Sequence, residues 1–240
     1  MYKIIGFIAK PLGMLLSLIY DLVGNYGISI IIFTIIVKFA LYPLYSKQIK
    51  STVRMAEVQP KMQEIQQRYA NDRQMMNIKM SELYKEEKFN PMGGCLPMII
   101  QMPIIFGLFA LLRRPLDYIA SDSMIFAAHE SFLWIMDLSQ PDKWILPIAA
   151  GVATFISFTM TQQQQQVSGA ANQMNGMMKG MRIIFPIMIV WMGRTFPAGL
   201  ALYWFIGQVV QIFFNLHLNR VRERLRFEAE ARKKNRKKIS

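Results

Sequence analysis

The amino-acid sequence predicts an all-helical integral membrane protein with five transmembrane helices. Of its 240 residues, 53% are hydrophobic and only 18% are charged. Several uncharged apolar segments are about as long as a helix that crosses a bilayer. Lys and Arg outnumber Asp and Glu by 28 to 15, and most of this positive charge lies in two polar segments. Because soluble proteins of this size rarely combine these features, the pattern indicates a membrane protein.

The first 25 residues are predicted to form an amphipathic helix that lies in the membrane interface. Apolar residues recur there at helical spacing, at Ile8, Leu12, Leu15, Leu16, Ile19 and Leu22. A signal peptide is excluded because no small-residue cleavage site precedes the next apolar segment, and because Lys10, Pro11 and Asp21 interrupt the run. A sixth transmembrane helix is the alternative interpretation.

Residues 26–45 are predicted to form the first transmembrane helix, which carries a single charge at Lys38. A lysine near the middle of such a helix costs roughly 2.5–3.5 kcal/mol, so it normally faces water, a partner group or the protein interior. Thr34 lies one turn before Lys38 and Tyr42 one turn after, so the three share a face. This arrangement predicts a polar stripe that faces a cavity. In the alternative, the ammonium reaches the polar cluster that begins at Ser46, about 12 Å away along a helix.

Residues 46–94 are predicted to form a cytoplasmic helical hairpin. The segment is polar and mixed in charge, with nine basic and six acidic residues between Ser46 and Asn90. Apolar residues recur at helical spacing in two groups, which are Met62, Ile65 and Tyr69, then Met76, Met80 and Leu83. Asn71 and Asp72 lie between the groups and are candidates for the turn and the helix cap.

Composition changes divide the rest of the chain into four further spans and their connections. The predicted segments are a second transmembrane helix at 95–112, an extracellular connection at 113–143, a third helix at 144–161, a cytoplasmic Gln/Met-rich loop at 162–180, a fourth helix at 181–195, a fifth at 198–217 and a basic cytoplasmic tail at 218–240. Arg113 and Arg114 end the second span, and five consecutive glutamines open the loop. The alternative interpretation of this tract is a helix extension that fades into a loose loop.

The distribution of Lys and Arg predicts the orientation of these spans. One side holds 21 of them, in the hairpin, the tail, Lys179 and Arg182, while the other side holds six. Positive loops remain in the cytoplasm, so the carboxyl terminus is predicted to be cytoplasmic and the amino terminus to lie outside.

Several functional classes are excluded by composition. The single cysteine, Cys95, excludes an internal disulfide, and the two histidines, His129 and His217, are too few for a zinc cluster. No nucleotide loop, catalytic triad or carboxylate pair is present, so neither an enzyme nor a cofactor is predicted. Ion-coupled transporters usually need an intramembrane carboxylate, and the predicted spans contain no Asp or Glu.

What remains inside the spans is one cation and a set of neutral polar side chains. These are Thr34, Lys38, Gln101, Thr154, Ser157, Gln208 and Gln211. Gln208 and Gln211 are three residues apart and share a face with Trp204. The functional interpretation is a hydrophilic groove, and the alternative is that these groups only join helices through hydrogen bonds.

Three stretches of the sequence resemble the YidC family of membrane protein insertases. They are ELYKEEKFNPMGGCLPMIIQMPIIFGLFALLRR at 82–114, VRMAEVQPKMQEIQQRY at 53–69 and FPAGLALYW at 196–204. The resemblance extends from Tyr26 to about Asn219. The chain lacks the large periplasmic domain of Gram-negative members and a lipoprotein cysteine near its amino terminus, so it resembles the short, Gram-positive-type form.

The resemblance implies five transmembrane helices around a groove that opens to the cytoplasm and to lipid. Lys38 occupies the position of the family's single intramembrane positive charge, which is most often arginine. Thr34 matches a family position that lines the substrate path, and Tyr203 and Trp204 match the family's aromatic pair on the fifth span. The predicted groove consists of these residues, Lys38, and Gln101, Ser157 and Gln208 from the polar pattern.

The implied function is insertion of nascent membrane proteins into a bacterial cell membrane, alone or with the Sec translocon. The implied partners include the ribosome and anionic lipids. The predicted ribosomal RNA or lipid contacts are Arg222, Arg224, Arg226, Arg232, Lys233, Lys234, Arg236, Lys237 and Lys238. The alternative is a structural translocon-associated subunit that assists helix folding without its own groove.

Overall fold

The computed structural model describes residues 2–87, 96–113, 126–166 and 172–239. Its helices are α1 Tyr2–Val23, α2 Tyr26–Ala40, α3 Tyr42–Arg68, α4 Arg73–Glu86, α5 Leu96–Arg113, α6 Ile145–Gln166, α7 Asn172–Gly193 and α8 Ala198–Ile239. Within these ranges there is no strand, only an isolated bridge between Phe132 and Ile135. The prediction of an all-helical protein is therefore confirmed for the described residues.

The long apolar helix at the carboxyl-terminal end satisfies the requirements for a membrane span. By length and composition, the part of α8 from Ala198 to Asn219 can cross a bilayer. Shorter apolar helices occur at Tyr26–Ala40, Met102–Leu111, Ile145–Thr161 and Gly180–Gly193.

Two helix boundaries differ from those that the sequence predicts. The first predicted span, 26–45, is divided at Leu41, because Pro43 has no backbone N–H to continue the hydrogen bonds of α2. The described residues of the predicted Gln/Met-rich loop, 162–166 and 172–180, are helical, since α6 continues to Gln166 and α7 begins at Asn172. Glutamine and methionine are good helix formers, which favours these extensions.

The described residues divide into two units. Unit 1 comprises Met1–Leu41, Met98–Phe158 and Arg182–Ile212, and unit 2 comprises Tyr42–Pro97, Thr159–Met181 and Phe213–Ser240. The core of unit 1 contains buried residues of α1, α2, α5 and α8 together with residues 127–138. In α1, Leu16 and Ile19 are buried in this core, whereas Leu22, which the predicted interfacial face includes, is 80% exposed.

Unit 2 contains the helical hairpin of α3 and α4. Val58 and Leu83 form its buried seam, with Met62, Ile65 and Tyr84 packed against them. The side chain of Asp72 accepts a hydrogen bond of 2.9 Å from the backbone N–H of Met75, so Asp72 is the N-cap of α4. Elsewhere in unit 2, the Tyr42 and Phe214 rings lie 5.1 Å apart.

Candidate functional site

Lys38 and Thr34 lie on the inner face of α2. The exposed fraction is 6% for Lys38 and zero for Thr34, whereas Ile35 and Ile36 on the opposite face are 38% and 43% exposed. The Thr34 hydroxyl donates a hydrogen bond of 2.6 Å to the carbonyl oxygen of Ile30. The helix therefore directs its charge toward the interior of unit 1 and its isoleucines outward.

The surface that faces Lys38 belongs to α8. A Cβ atom placed on Gly207 would lie 3.1 Å from Lys38 Cε, 3.8 Å from Lys38 Nζ and 3.8 Å from Thr34 Cγ2. The absence of a side chain at Gly207 thus lets the lysine stem lie directly against α8. One turn earlier, the Tyr203 ring packs on Phe33 with centroids 6.4 Å apart. Tyr203 is buried, while Gln208 is half-buried.

The third helix of the site, α6, contributes buried hydroxyl groups. Thr154 is fully buried and donates a hydrogen bond of 2.6 Å to the carbonyl oxygen of Ala150. Its oxygen also accepts a hydrogen bond of 3.0 Å from the indole N–H of Trp204. Ser157, one turn further along α6, is 3% exposed. Trp204 therefore connects α8 to the hydroxyl-bearing face of α6.

Of the residues that the sequence singled out, the structure places Thr34, Lys38, Ser157, Tyr203, Trp204 and Gln208 in unit 1. The backbone of Gln101 lies in α5, but its side chain is outside the described part of the structure. In the basic tail, Arg224 is exposed. The remaining basic side chains proposed for ribosome or lipid contact lie outside the described side chains, namely Arg222, Arg226, Arg232, Lys233, Lys234, Arg236, Lys237 and Lys238.

Sequence reasoning missed Gly207. Small residues in transmembrane helices often mark places where two helices approach closely, so a glycine within the predicted fifth span was the signal that could have identified this contact. The sequence does not identify the approaching side chain, because Lys38 and Gly207 are far apart along the chain.

Two apolar cavities lie elsewhere in unit 1. One is a crevice of about 570 Å³ between α6 and α8, lined by residues that include Ile148, Val152, Phe205 and Val209. The other, of about 190 Å³, lies among α5, α6, α7 and α8 and has Trp204 in its wall. The walls of both cavities are apolar and suit hydrocarbon rather than charge. Lys38 lines neither of them.

Residues 126–144, named here the connecting segment, cap several helices at one end of unit 1. The carbonyl oxygens of Leu138 and Gln140 accept hydrogen bonds of 2.9 Å from the backbone N–H groups of Gly199 and Ala198 at the start of α8. At the start of α6, Asp142 accepts a hydrogen bond of 2.7 Å from the backbone N–H of Leu146. These bonds satisfy backbone donors that a helix leaves unpaired in its first turn.

Glu130 in the connecting segment caps α2. Its carboxylate accepts a hydrogen bond of 2.8 Å from the backbone N–H of Tyr26 and another from the hydroxyl of Tyr20 on α1. The hydrogen bond from the Tyr20 hydroxyl to Glu130, together with desolvation, raises the pKa of Tyr20 to about 12. A carboxylate at a helix N-terminus is also favoured by the helix dipole. We call this end of unit 1, where α2, α6 and α8 begin, the capped end.

The comparisons with known proteins agree on one family. Residues 18–225 match the family model described as "60Kd inner membrane protein". A protein of Fusobacterium nucleatum named "Membrane protein insertase YidC" is 42% identical over 213 residues, which cover 88% of this chain and 95% of that relative. Proteins of the same name from Citrifermentans bemidjiense and Stutzerimonas stutzeri are 39% and 40% identical, each over 91% of this chain.

A solved structure of a YidC insertase is also similar to this chain. The crystal structure titled "Active YidC insertase crystal structure with the first transmembrane domain resolved" matches with a TM-score of 0.60 and 29% identity, over 85% of this chain. The chain spans 44% of that solved chain, and 38% and 36% of the Citrifermentans and Stutzerimonas proteins.

Proposed function

The chain belongs to the YidC family of membrane protein insertases, and we propose that it inserts nascent membrane proteins into the lipid bilayer through a hydrated groove that contains Lys38. The observation that carries this proposal is the burial of Lys38 beside Thr34 on the inner face of α2, against Gly207 of α8. The groove would be lined by Thr34, Lys38, Gln101, Ser157, Tyr203, Trp204 and Gln208. The same five spans would surround it, with the hairpin and the carboxyl-terminal tail in the cytoplasm and the capped end outside.

The charge gives the groove its chemistry. Burying a cation is costly, so an ammonium at this depth is stabilised by water and polar groups around it. A hydrophilic client tail that enters such a groove avoids complete desolvation. Acidic residues in the tail are attracted to Lys38 more strongly than they would be in bulk water, because the surrounding dielectric constant is lower.

The client's apolar segment supplies the driving force. As it leaves the groove it partitions into lipid along α2 and α8, and the hydrophobic effect favours this step. The crevice between α6 and α8 provides an apolar surface on another face of α8. The membrane potential assists the outward movement of an acidic tail. No nucleotide is required by this mechanism.

A cysteine accessibility scan tests the groove. In a Cys95→Ser background, cysteines introduced at Thr34, Lys38, Ser157 and Gln208 are expected to react with a charged maleimide added from the cytoplasmic side. Ile36→Cys is the matched control, since Ile36 lies on the outward face of the same helix and should face lipid. Because Thr34, Lys38 and Ser157 are buried in the structure, their labelling requires that water enters the groove.

The scan also separates this proposal from the alternative function. If the four positions resist the charged reagent as Ile36→Cys does, there is no hydrated groove. A structural subunit that assists helix folding beside the Sec translocon would then be favoured.

The basic tail is proposed to contact ribosomal RNA and anionic lipid on the cytoplasmic side. Neutralising phosphate charge with Lys and Arg releases counterions and strengthens binding to either surface. Deletion of residues 222–240 is expected to reduce cosedimentation with ribosomes, most clearly at low salt. Unchanged cosedimentation of the truncated protein would leave lipid as the only partner of the tail.

A further inference from the structure

The exposed tryptophans of this protein are gathered at the capped end. The chain contains four tryptophans. Trp134, Trp144 and Trp191 are 49%, 57% and 67% exposed, and all three lie in the connecting segment or in the last turn of α7. The fourth, Trp204, is half-buried beside Thr154. An uneven distribution of this kind indicates a common environment for the three exposed rings.

Two of these rings are held in place by specific contacts. The indole N–H of Trp134 donates a hydrogen bond of 3.1 Å to Asp142, the residue that also caps α6. Burial alone would raise the pKa of Asp142, but hydrogen bonds from Leu146, Trp134 and Trp144 lower it below its ordinary value. The carboxylate is therefore a charged, stable anchor for Trp134. The guanidinium of Arg194 lies 4.2 Å from the centroid of the Trp144 ring.

Trp134 lies at the tip of a tight turn whose conformation is strained. Phe132 and Ile135 exchange two backbone hydrogen bonds of 2.8 and 2.9 Å, so Leu133 and Trp134 form the tip. Leu133 has a φ of +53°, and among the described residues it is the only non-glycine with a positive φ. Such a conformation is unfavourable for a bulky residue.

The strained conformation of Leu133 does not bury its side chain. Leu133 is 75% exposed and Met136 is 90% exposed, so neither side chain contributes much to the core of unit 1. Backbone strain that does not serve packing indicates a role for the exposed side chains outside the protein.

We propose that residues 132–136, named here the 132–136 turn, anchor the protein in the lipid interface at the capped end. Leu133, Trp134 and Met136 would insert among the headgroups and upper acyl chains, and Trp144 and Trp191 would mark the same depth. Tryptophan at such a level is typical of membrane interfaces, where an aromatic ring has apolar contacts on one side and hydrogen bonds on the other.

The surroundings favour lipid over a protein partner. Directly beyond Trp144, the outward residues Ile145, Ile148 and Val152 of α6 are 55%, 46% and 53% exposed. They form an apolar face that is continuous with the aromatic level, as expected where a span enters the hydrocarbon. The charged residues here are of both signs, with Asp137 directly after the turn, Asp142 bound to Trp134 and Arg194 on the Trp144 ring, so a zwitterionic lipid suffices. This anchoring is independent of insertion activity and of the groove.

Depth-dependent fluorescence quenching tests the anchor. The full-length protein with Trp134 as its only tryptophan, the other three being replaced by phenylalanine, is reconstituted into phosphatidylcholine vesicles. The lipid carries bromine either near the headgroup, at acyl carbons 6 and 7, or deeper, at carbons 11 and 12. We expect Trp134 to be quenched more by the shallow bromines than by the deep ones, and only weakly by aqueous acrylamide.

A variant of the turn provides the matched control. Leu133→Asn removes the apolar side chain but keeps the fold, since asparagine tolerates a positive φ. It is expected to reduce shallow quenching of Trp134 about twofold or more, while a protein with Trp144 alone and the same substitution keeps its quenching.

Two results would overturn the proposal. In the first, acrylamide quenches Trp134 strongly and neither brominated lipid does, although Trp144 remains quenched, which places the turn in water. In the second, neither acrylamide nor bromine reaches Trp134, which places the turn against protein.

Discussion

Lys38→Ala is expected to lower the insertion of a client with an acidic tail by about tenfold or more, which corresponds to roughly 1.4 kcal/mol at the transition state. The substitution removes the one charge that α2 buries on its inner face. A client carboxylate then enters an environment of low dielectric constant without the attraction that offset its desolvation. Insertion is measured as protease protection of the tail in vesicles that contain only this protein.

Three comparisons isolate the charge from its packing. Lys38→Arg is expected to retain most of the activity, because the charge and depth are kept although the geometry of its hydrogen bonds differs. Lys38→Met keeps a side chain of similar length against Gly207 and should be as defective as Lys38→Ala. A client with an uncharged tail should be affected much less by all three substitutions. If Lys38→Ala inserts the acidic client at the wild-type rate, charge attraction is not part of the mechanism.

Gly27→Ala is expected to destabilise unit 1 by about 1–3 kcal/mol, the range for overpacking a well-packed site. A Cβ atom on Gly27 would lie 2.9 Å from the Cβ of Phe132 and closer still to its ring. The backbone of α2 at Gly27 and the ring of Phe132 must move apart, which disturbs the first turn of α2 beside Glu130, the residue that caps it. The change is measured as a lower thermal unfolding midpoint in detergent.

A double-mutant cycle checks the cause of this loss. Phe132→Ala removes the ring that the new methyl group meets, so Gly27→Ala should cost much less in that background than in the wild type. Gly24→Ala is not a suitable control because Gly24 has a φ of +66°, where alanine is strained. If the two substitutions are additive, the clash with Phe132 is not the source of the instability.

The connection between these two sites is the capped end. Glu130 and the carbonyl oxygens of Leu138 and Gln140 hold the start of α2 and of α8 to the same segment, and Lys38 and Gly207 lie further along these two helices. Loosening the capped end by Gly27→Ala should therefore also reduce insertion. We expect that effect to be similar for clients with acidic and with neutral tails, in contrast to Lys38→Ala.

Much of the candidate site could be predicted because each local signal depends on residues close together in sequence. The helical period alone places Thr34 and Lys38 on one face of α2, and the cost of a charge in lipid predicts that this face is turned inward. Asp72 was a cap candidate because an acidic residue before a helical run accepts its first N–H groups. The all-helical fold class follows from composition and segment length.

Two boundaries differ from the predicted ones although their signals are local. Apolar composition continues through Leu41, so the break that Pro43 causes was missed, and helices occupy residues 162–166 and 172–180, where a helix extension was only the alternative interpretation. Other features depended on contacts between distant parts of the chain. Glu130 was one of several acids in the connection that the sequence predicts to be extracellular, and nothing in its sequence neighbourhood shows that it caps α2. The roles of Gly27 and Gly207 depend on which side chain approaches each of them.

The sequence by itself determined that this is a helical membrane protein of the YidC family with a single charge in its first apolar helix. Hydropathy, charge bias and family motifs suffice for that, since they are properties of the chain read in order. Only the tertiary structure decided that the charge lies against a glycine of α8, that one segment caps three helices, and that a strained turn exposes its leucine. Those facts arise from packing, in which segments far apart in the chain contact each other and leave little room for a Cβ atom at the points of closest approach.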